Sequence, residues 1–232
     1  MDEILRAGLA ALGLRWDDGA IDKLKEYYRL LDEKNKVMNL TAIRGEEDTA
    51  RLHFLDCAAL LAYLPAETAT LADIGSGAGF PGLVLKILRP ELQVTLLDSL
   101  QKRVAFQQET ASVLGLEGLC CRAGRAEEQA DMRGAFDAVT SRAVARLSVL
   151  AELCLPMVRT GGLFLAMKGP EPEAETEEAG RAIALLGGGP ARIEKYTVPG
   201  TDAVHSLVIV KKERPSPRSY PRRFAAIKKS PL

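Results

Sequence analysis

Thr70-Leu71-Ala72-Asp73-Ile74-Gly75-Ser76-Gly77-Ala78-Gly79-Phe80 decides the fold: a short apolar run ends in an acid, and glycine then takes every second position. Glycine is wanted where the backbone turns sharply and must approach a ligand with no side chain in the way. A dinucleotide loop reads G-x-G-x-x-G and would need its last glycine where Phe80 stands. No Gly-Lys-Ser/Thr follows, which excludes the phosphate-cradling P-loop. The G-x-G-x-G spacing of Gly75, Gly77 and Gly79 suits a ligand without a pyrophosphate, such as S-adenosylmethionine. An incidental tight turn is the bland alternative.

Working outward, apolar runs at 70–74, 93–97, 119–122, 136–140 and 163–167 predict strands, and residues 82–88, 102–114 and 145–158 predict helices between them. Alternation of this kind gives a parallel sheet covered on both faces, because parallel crossovers are right-handed. Residues 192–198 and 205–211, joined across Pro199-Gly200-Thr201-Asp202, predict an antiparallel hairpin. The expected fold is therefore α/β, of the class I S-adenosylmethionine-dependent methyltransferase (Rossmann-like) type: a mostly parallel sheet, an antiparallel C-terminal hairpin and a small N-terminal helical extension.

Open α/β sheets bind ligands at the carboxyl ends of their strands. Asp98 ends the second strand, where a carboxylate can accept hydrogen bonds from both ribose hydroxyls; capping the next helix is its ordinary alternative. Ala126-Glu127 follow the third strand, where an adenine would lie, although glutamates at helix starts are common for dipole reasons. Lys102 and Arg103 open a helix, a place the dipole slightly disfavours for cations, so phosphate neutralisation becomes a reason for them.

The front, residues 1–64, reads as a helical segment too small for its own core. Asp17-Asp18 can cap a helix with Ile21, Leu24, Tyr28 and Leu31 inward. Residues 35–41 read as a polar connector, and a second helix is predicted over 48–63, ending before Pro65. His53 and Asp56 lie one turn apart there and are placed to hydrogen-bond each other. The cofactor-binding domain spans 65–212. The tail, 213–232, carries four prolines and is expected to be irregular. Net charge is zero, with 31 basic and 31 acidic residues, yet from Lys211 onward only Glu213 opposes eight basic residues, while acid gathers at 171–178. Tail cations beside Tyr220 and Phe224 suit RNA, with phosphates neutralised and bases stacked. No apolar run is long enough to span a membrane, and the start lacks the layout of a secretory signal. Cys57, Cys120, Cys121 and Cys154 lack metal-ligand spacing and read as buried free thiols of a cytoplasmic protein.

Asn39-Leu40-Thr41, His53-Phe54-Leu55-Asp56, the stretch from Asp73 to Gly82, Leu97-Asp98-Ser99 with Lys102-Arg103-Val104, Ser141-Arg142-Ala143 and Met167-Lys168-Gly169 follow one another in order. Together they resemble the ribosomal RNA small-subunit methyltransferase G family, also called glucose-inhibited division protein B, over nearly the whole chain. The resemblance implies methyl transfer from S-adenosylmethionine to guanine N7 in small-subunit ribosomal RNA. It implies cofactor contacts at Gly75, Phe80, Asp98, Ser99, Ala126, Glu127 and Arg142. Around cofactor and RNA it implies Asn39, His53, Arg142 and Lys168 in the reaction centre, and Lys102, Arg103 and Arg125 on RNA. The expected partner is small-subunit RNA or the 30S particle, met by a monomer without a metal. The chain departs from the family pattern at His205-Ser206, where a basic residue and then histidine would be expected.

The chemistry fits that expectation. Guanine N7 already carries a lone pair, so attack on a sulfonium methyl removes no proton and needs positioning more than a base. The fourth strand ends in Thr140-Ser141-Arg142, unlike the Asn/Asp-Pro-Pro box of amino-group methyltransferases, and no Pro-Cys pair offers a nucleophile for cytosine C5. Ribose 2′-O methylation, with Lys168 as its lysine, is the nearest enzymatic rival. A non-catalytic ribosome-assembly factor on the same fold is the rival from another class.

Overall fold

Two helices lead the chain in the computed structural model, which describes residues 1–142 and 145–232. Ala143, part of an expected site motif, lies outside the described residues. Helix α1 (Asp2–Ala11) has no counterpart among the expected elements. Its Gly8 reads against a helix by propensity, but a Cβ there would meet the Leu55 side chain at 2.2 Å, so only glycine allows this approach.

Helix α2 (Asp18–Met38) is capped as expected, the Asp17 carboxylate accepting from the Ala20 amide at 2.7 Å. Its buried stripe includes Ile21, Leu24 and Leu31, but Tyr27 takes the place expected of Tyr28. Both positions satisfy a 3.6-residue period; Tyr27 goes inside because its hydroxyl donates to the Ala78 carbonyl at 2.7 Å. The helix also absorbs residues 35–38 of the expected connector and ends at Asn39, in the left-handed region at φ 48°.

The second front helix changes pitch along its length. It runs through α3 (Glu46–Thr49), a π-helical stretch Ala50–Leu55, α4 (Asp56–Ala58) and a 3₁₀ turn Ala59–Tyr63. Wider π turns re-aim the side chains they carry and recur at functional sites. This one carries His53.

The body follows as β1 (Thr70–Ile74), α5 (Gly82–Leu88), β2 (Gln93–Asp98), α6 (Gln101–Val113), β3 (Leu119–Ala123), β4 (Phe136–Arg142), α7 (Leu147–Cys154), β5 (Val158–Lys168), α8 (Glu173–Leu185), β6 (Arg192–Thr197) and β7 (Val204–Lys211). The sheet order is β3-β2-β1-β4-β5-β7-β6. β1 to β5 pair in parallel, and β7 is antiparallel to β5 and β6, as the sequence predicts. The expected helix 145–158 is shorter, since β5 begins at Val158. Helix α8 was not expected; the acids near its start, Glu173 and Glu175, suit the positive end of its dipole.

Alternation along the strands splits the core in two. Leu71, Ala138, Leu165, Leu207 and Ile209 pack against the front helices, α5 and α6. Ala72, Ile74, Val139, Phe164, Val208 and Val210 pack against α7 and α8. Strand order reverses between β1 and β4, and the crevice at such a switch point is where ligands bind.

The tail has no helix or strand over residues 213–223, where three of its four prolines stand, and it is held against the body by side-chain contacts. Lys212 is buried, its ammonium donating to the Leu155 and Leu186 carbonyls, each at 2.7 Å. The Arg133 guanidinium gathers the carbonyls of Ser216, Pro217 and Tyr220. Arg222 pairs with the fully buried Glu152 at 2.6 Å. A last helix, α9 (Phe224–Lys229), follows the prolines at a stretch that contains none, and it buries Ile227. Tyr220 and Phe224 pack on the α7 side, so their rings serve the fold. Cys57 and Cys154 are buried free thiols, but Cys120 is exposed and Cys121 half-buried, because β3 is an edge strand.

Candidate functional site

The loop after β1 places Gly75, Gly77 and Gly79 at φ 74°, 58° and 105°. Its amides at Gly75 and Ser76 donate to the Leu97 carbonyl at 2.8 and 3.1 Å, tying it to β2. From beneath, the Gln107 amide nitrogen donates to Ser76 Oγ and to the Gly77 carbonyl, each at 2.8 Å. Asp98 closes the third side. One carboxylate oxygen accepts from the Gly77 amide at 2.9 Å and faces the Arg103 guanidinium at 3.4 Å; the other accepts from the Leu100 amide at 2.9 Å.

Gly75, Ser76, Gly77, Asp98 and Arg103 border a cleft of about 340 Å³ together with Phe80, Ser99 and Arg142. That volume lies in the range of small-molecule sites, roughly 300–1,000 Å³. The cradle is open where a ligand would sit: a Cβ on Gly77 would meet nothing nearer than the Gly75 carbonyl oxygen at 3.9 Å. Asp98 is 3% exposed, and the oxygen that accepts from Leu100 keeps a second lone pair for a ligand. A sulfonium cofactor with a ribose fits this donor set. Beside the loop, buried Asp73 accepts from the Gly82 amide at 2.8 Å, and its other oxygen has no partner among the described residues. Burial pushes this carboxyl up to about 7.

His53 and Arg142 form the wall of the cleft opposite β2. The His53 ring stacks on Phe80 at 4.3 Å and 11°. Arg142 lies over the same ring at 4.9 Å and donates to His53 Nδ1 at 2.8 Å. An always-protonated guanidinium can only donate, so Nδ1 is the acceptor and the imidazole proton sits on Nε2, 2.7 Å from Thr41 Oγ. The buried Asn35 side chain holds Thr41 there, bonding its amide at 3.0 Å and its carbonyl at 2.9 Å.

Beyond this wall lies a second cavity of about 440 Å³, which His53 and Arg142 also line. Its other polar residues are Asp56, Lys168 and His205. The expected His53–Asp56 bond is replaced by a longer-range arrangement: Asp56 receives Arg142 at 3.3 Å, the Tyr196 hydroxyl at 2.8 Å and His205 Nδ1 at 2.7 Å. The π turn turns His53 to Arg142, which stands between the two residues. Lys168 donates to the Ala145 carbonyl at 3.0 Å and to Glu175 at 2.9 Å.

The chain has two histidines, and their environments push them apart. Burial and then the Arg142 charge lower His53 to about 3, whereas the Asp56 hydrogen bond raises His205. His53 therefore contributes stability above its unfolded value of 6.5 that is lost as pH falls from there toward 3; His205 contributes stability below 6.5 that is lost as pH rises through its folded value. In an NMR titration, one imidazole is expected to stay neutral to below pH 4 and the other to titrate above 6.5. Two ordinary titrations near 6.5 contradict this geometry.

Gly75, Gly77, Phe80, Asp98, Ser99, Arg103 and Arg142 thus meet at one cleft, whereas Gly79 packs away from it against Leu83 and Tyr27. Lys102 is exposed on α6 outside both linings. Asn39 is exposed as the cap of α2 and lines neither cavity. Ala126 and Glu127, in a 3₁₀ turn, line clefts against the tail. Arg125 stacks over Phe224 at 5.4 Å. Sequence reasoning missed Tyr27, Thr41, Gln107, Tyr196 and the role of Asp56. Thr41 and Asp56 lay inside motifs the sequence showed; Tyr27, Gln107 and Tyr196 did not.

Among the described residues, no helix is long and apolar enough to cross a membrane, and no group of three or more His, Cys, Asp or Glu is placed to hold a metal. A family model described as rRNA small subunit methyltransferase G (GidB) matches residues 20–202. The chain is 43% identical over 233 residues to the ribosomal RNA small subunit methyltransferase G of Clostridium botulinum (strain Loch Maree / Type A3), covering 99% of this chain and 98% of that protein. It is 44% identical over 228 residues to the protein of that name from Exiguobacterium sibiricum, covering 97% and 96%. Among solved structures it resembles geranyl diphosphate methyltransferase in complex with GPP and sinefungin, with TM-score 0.55 at 13% identity over 84% of this chain and 100% of that one. It also resembles M. jannaschii TYW2 in complex with AdoMet, with TM-score 0.53 at 12% identity over 87% and 78%. At such identities the structural likeness speaks for the fold.

Proposed function

Because the chain belongs to the rRNA small subunit methyltransferase G family, we propose that it methylates guanine N7 in small-subunit ribosomal RNA using S-adenosylmethionine. One observation carries the reading: two cavities, one at the glycine loop and one beyond it, share a wall made of His53 and Arg142. A cofactor in the first and a base in the second would meet across that wall.

Gly75, Gly77 and Phe80 would hold the cofactor, with Asp98 on its ribose, Ser99 beside it and Ala126-Glu127 at the adenine edge. The cofactor supplies an electrophilic methyl group on a sulfonium. The chain's own residues orient the base: Arg142, held by His53 and Asp56, offers a fixed positive edge to guanine O6 and leaves the N7 lone pair to the methyl group. His53, neutral with its proton on Nε2, holds no proton for transfer to N7, and N7 needs none removed. Catalysis rests on orientation and on exclusion of water. Lys168 fixes the connection after β4 through Ala145 and Glu175. Lys102, Arg103 and Arg125 would neutralise phosphates, and Asn39 would meet the RNA at the cleft's outer edge. We further propose a cytoplasmic monomer acting on the 30S subunit.

Incubation with labelled S-adenosylmethionine and small ribosomal subunits, followed by mass spectrometry of the digested RNA, tests the reading. 7-Methylguanine is the expected product. Label on ribose would favour 2′-O methylation, and binding without label an assembly factor. Asp98→Ala should weaken cofactor binding about ten- to hundredfold, since it removes charge-assisted hydrogen bonds and frees the loop amide. An unchanged dissociation constant removes Asp98 from the site.

A further inference from the structure

The second cavity has a polarity that the shared wall does not explain. His53 and Arg142 line both cavities, whereas Asp56 and His205 line only the second. The second cavity therefore carries a carboxylate of its own beside the shared donors. Asp56 is 2% exposed, and its two oxygens are used unequally. One accepts from the Tyr196 hydroxyl at 2.8 Å and from His205 at 2.7 Å, which fills both lone pairs. Among the described residues the other receives only Arg142, at the long distance of 3.3 Å.

We propose that Asp56 is the specificity-determining residue of the base cavity, its second oxygen accepting from the N1–H and 2-amino edge of guanine. The assignment rests on the reading of this cavity as a base site given above. Arg142 and the second Asp56 oxygen stand side by side, 3.3 Å apart, as O6 and N1–H stand side by side on guanine, so the one can donate to O6 while the other accepts from N1–H and N7 is left to the cofactor. Guanine offers two donors there. Adenine offers an acceptor at N1, and hypoxanthine keeps N1–H but lacks the amino group. In a nearly dry site an unmatched polar group is costly, so such a carboxylate discriminates strongly. Tyr196 and His205 act as positioning residues: by occupying the first oxygen, they fix the carboxylate plane and leave the second to Arg142 and the base.

The experiment measures binding of GMP, IMP and AMP to the full chain in the presence of S-adenosylhomocysteine, alongside label transfer to small subunits. The wild type is expected to prefer GMP over IMP and AMP by about tenfold or more, as for a site built around a substrate donor. In Asp56→Asn the amide cannot accept on both sides, and the preference should collapse to about twofold or less. Cofactor affinity in this variant should fall by less than the GMP preference does, because Asp56 does not line the cofactor cleft and reaches it only through Arg142. Tyr196→Phe should erode the GMP preference without abolishing it. If Asp56→Asn also loses the cofactor, Tyr196→Phe decides, and an undiminished preference there overturns the proposal. A wild type that does not distinguish GMP from IMP and AMP, or an Asp56→Asn that keeps the preference, overturns it too. A preference lost in Asp56→Asn without label in RNA from the wild type sinks the proposed reaction and leaves this assignment standing. Normal labelling by Asp56→Asn does the reverse.

Discussion

Arg142→Lys is expected to lower methyl transfer to small subunits by about a hundredfold or more, while the protein stays folded. The guanidinium works as a fork: one nitrogen reaches His53 Nδ1 at 2.8 Å, and the other reaches Asp56 at 3.3 Å and the Leu52 carbonyl at 3.4 Å. Its flat face covers Phe80 at 4.9 Å. A lysine keeps the positive charge near Asp56, which limits the loss of stability to about 1–3 kcal/mol. It cannot span three acceptors in one plane or cover the ring, so the wall between the two cavities loses its shape. Arg142→Ala is the poorer test, because it removes a buried cation from beside a buried carboxylate and unfolds the region for that reason alone. Initial rates of label incorporation, compared with thermal midpoints, separate the two effects. A lysine variant as active as the wild type would mean that charge alone matters and that the fork is incidental.

What the sequence made legible is local. The glycine loop, Asp98 at the next strand's end and the run of strands and helices up to the hairpin follow from short apolar runs, turn residues and spacing within about twenty residues. The base cavity is built otherwise. Asp56 meets Tyr196 and His205 across 140 and 149 residues of chain, and Arg142 across 86. No periodicity encodes such meetings, so a one-turn bond between His53 and Asp56 was the natural expectation. Tyr27 and Tyr28 show the same limit at the smallest scale, since only the distant Ala78 carbonyl decides which ring goes inward. The prolines of the tail forbid regular structure where they stand, but they say nothing of the proline-free turns of α9 or of the acceptors that Arg133 collects. Lys212, buried and with its ammonium lowered to about 8 by that burial, pegs the start of this strap to carbonyls of two other segments, which composition cannot reveal.

The glycine loop yields the sharpest contrast in expected results. Gly77→Ala should fold but bind S-adenosylmethionine at least about tenfold more weakly, whereas Gly79→Ala should lose about 3 kcal/mol or more of stability. At Gly77 the backbone sits at φ 58°, where an L-residue costs about 1–2 kcal/mol. A methyl group there meets no protein atom closer than 3.9 Å, so it projects into the open cleft that Gly77 lines. The cost falls on the ligand. At Gly79 the backbone is at φ 105°, outside the left-handed well, and a Cβ would strike Leu83 Cδ1 at 2.3 Å and the Tyr27 hydroxyl oxygen at 3.0 Å. Leu83 and Tyr27 are fully buried, and Tyr27 is bonded to the loop's own Ala78, so neither neighbour can give way cheaply. Urea midpoints with cofactor titrations on the two variants read both effects. If Gly77→Ala binds cofactor as the wild type does, the loop's open face is not where the ligand lies, and the glycines serve the turn alone.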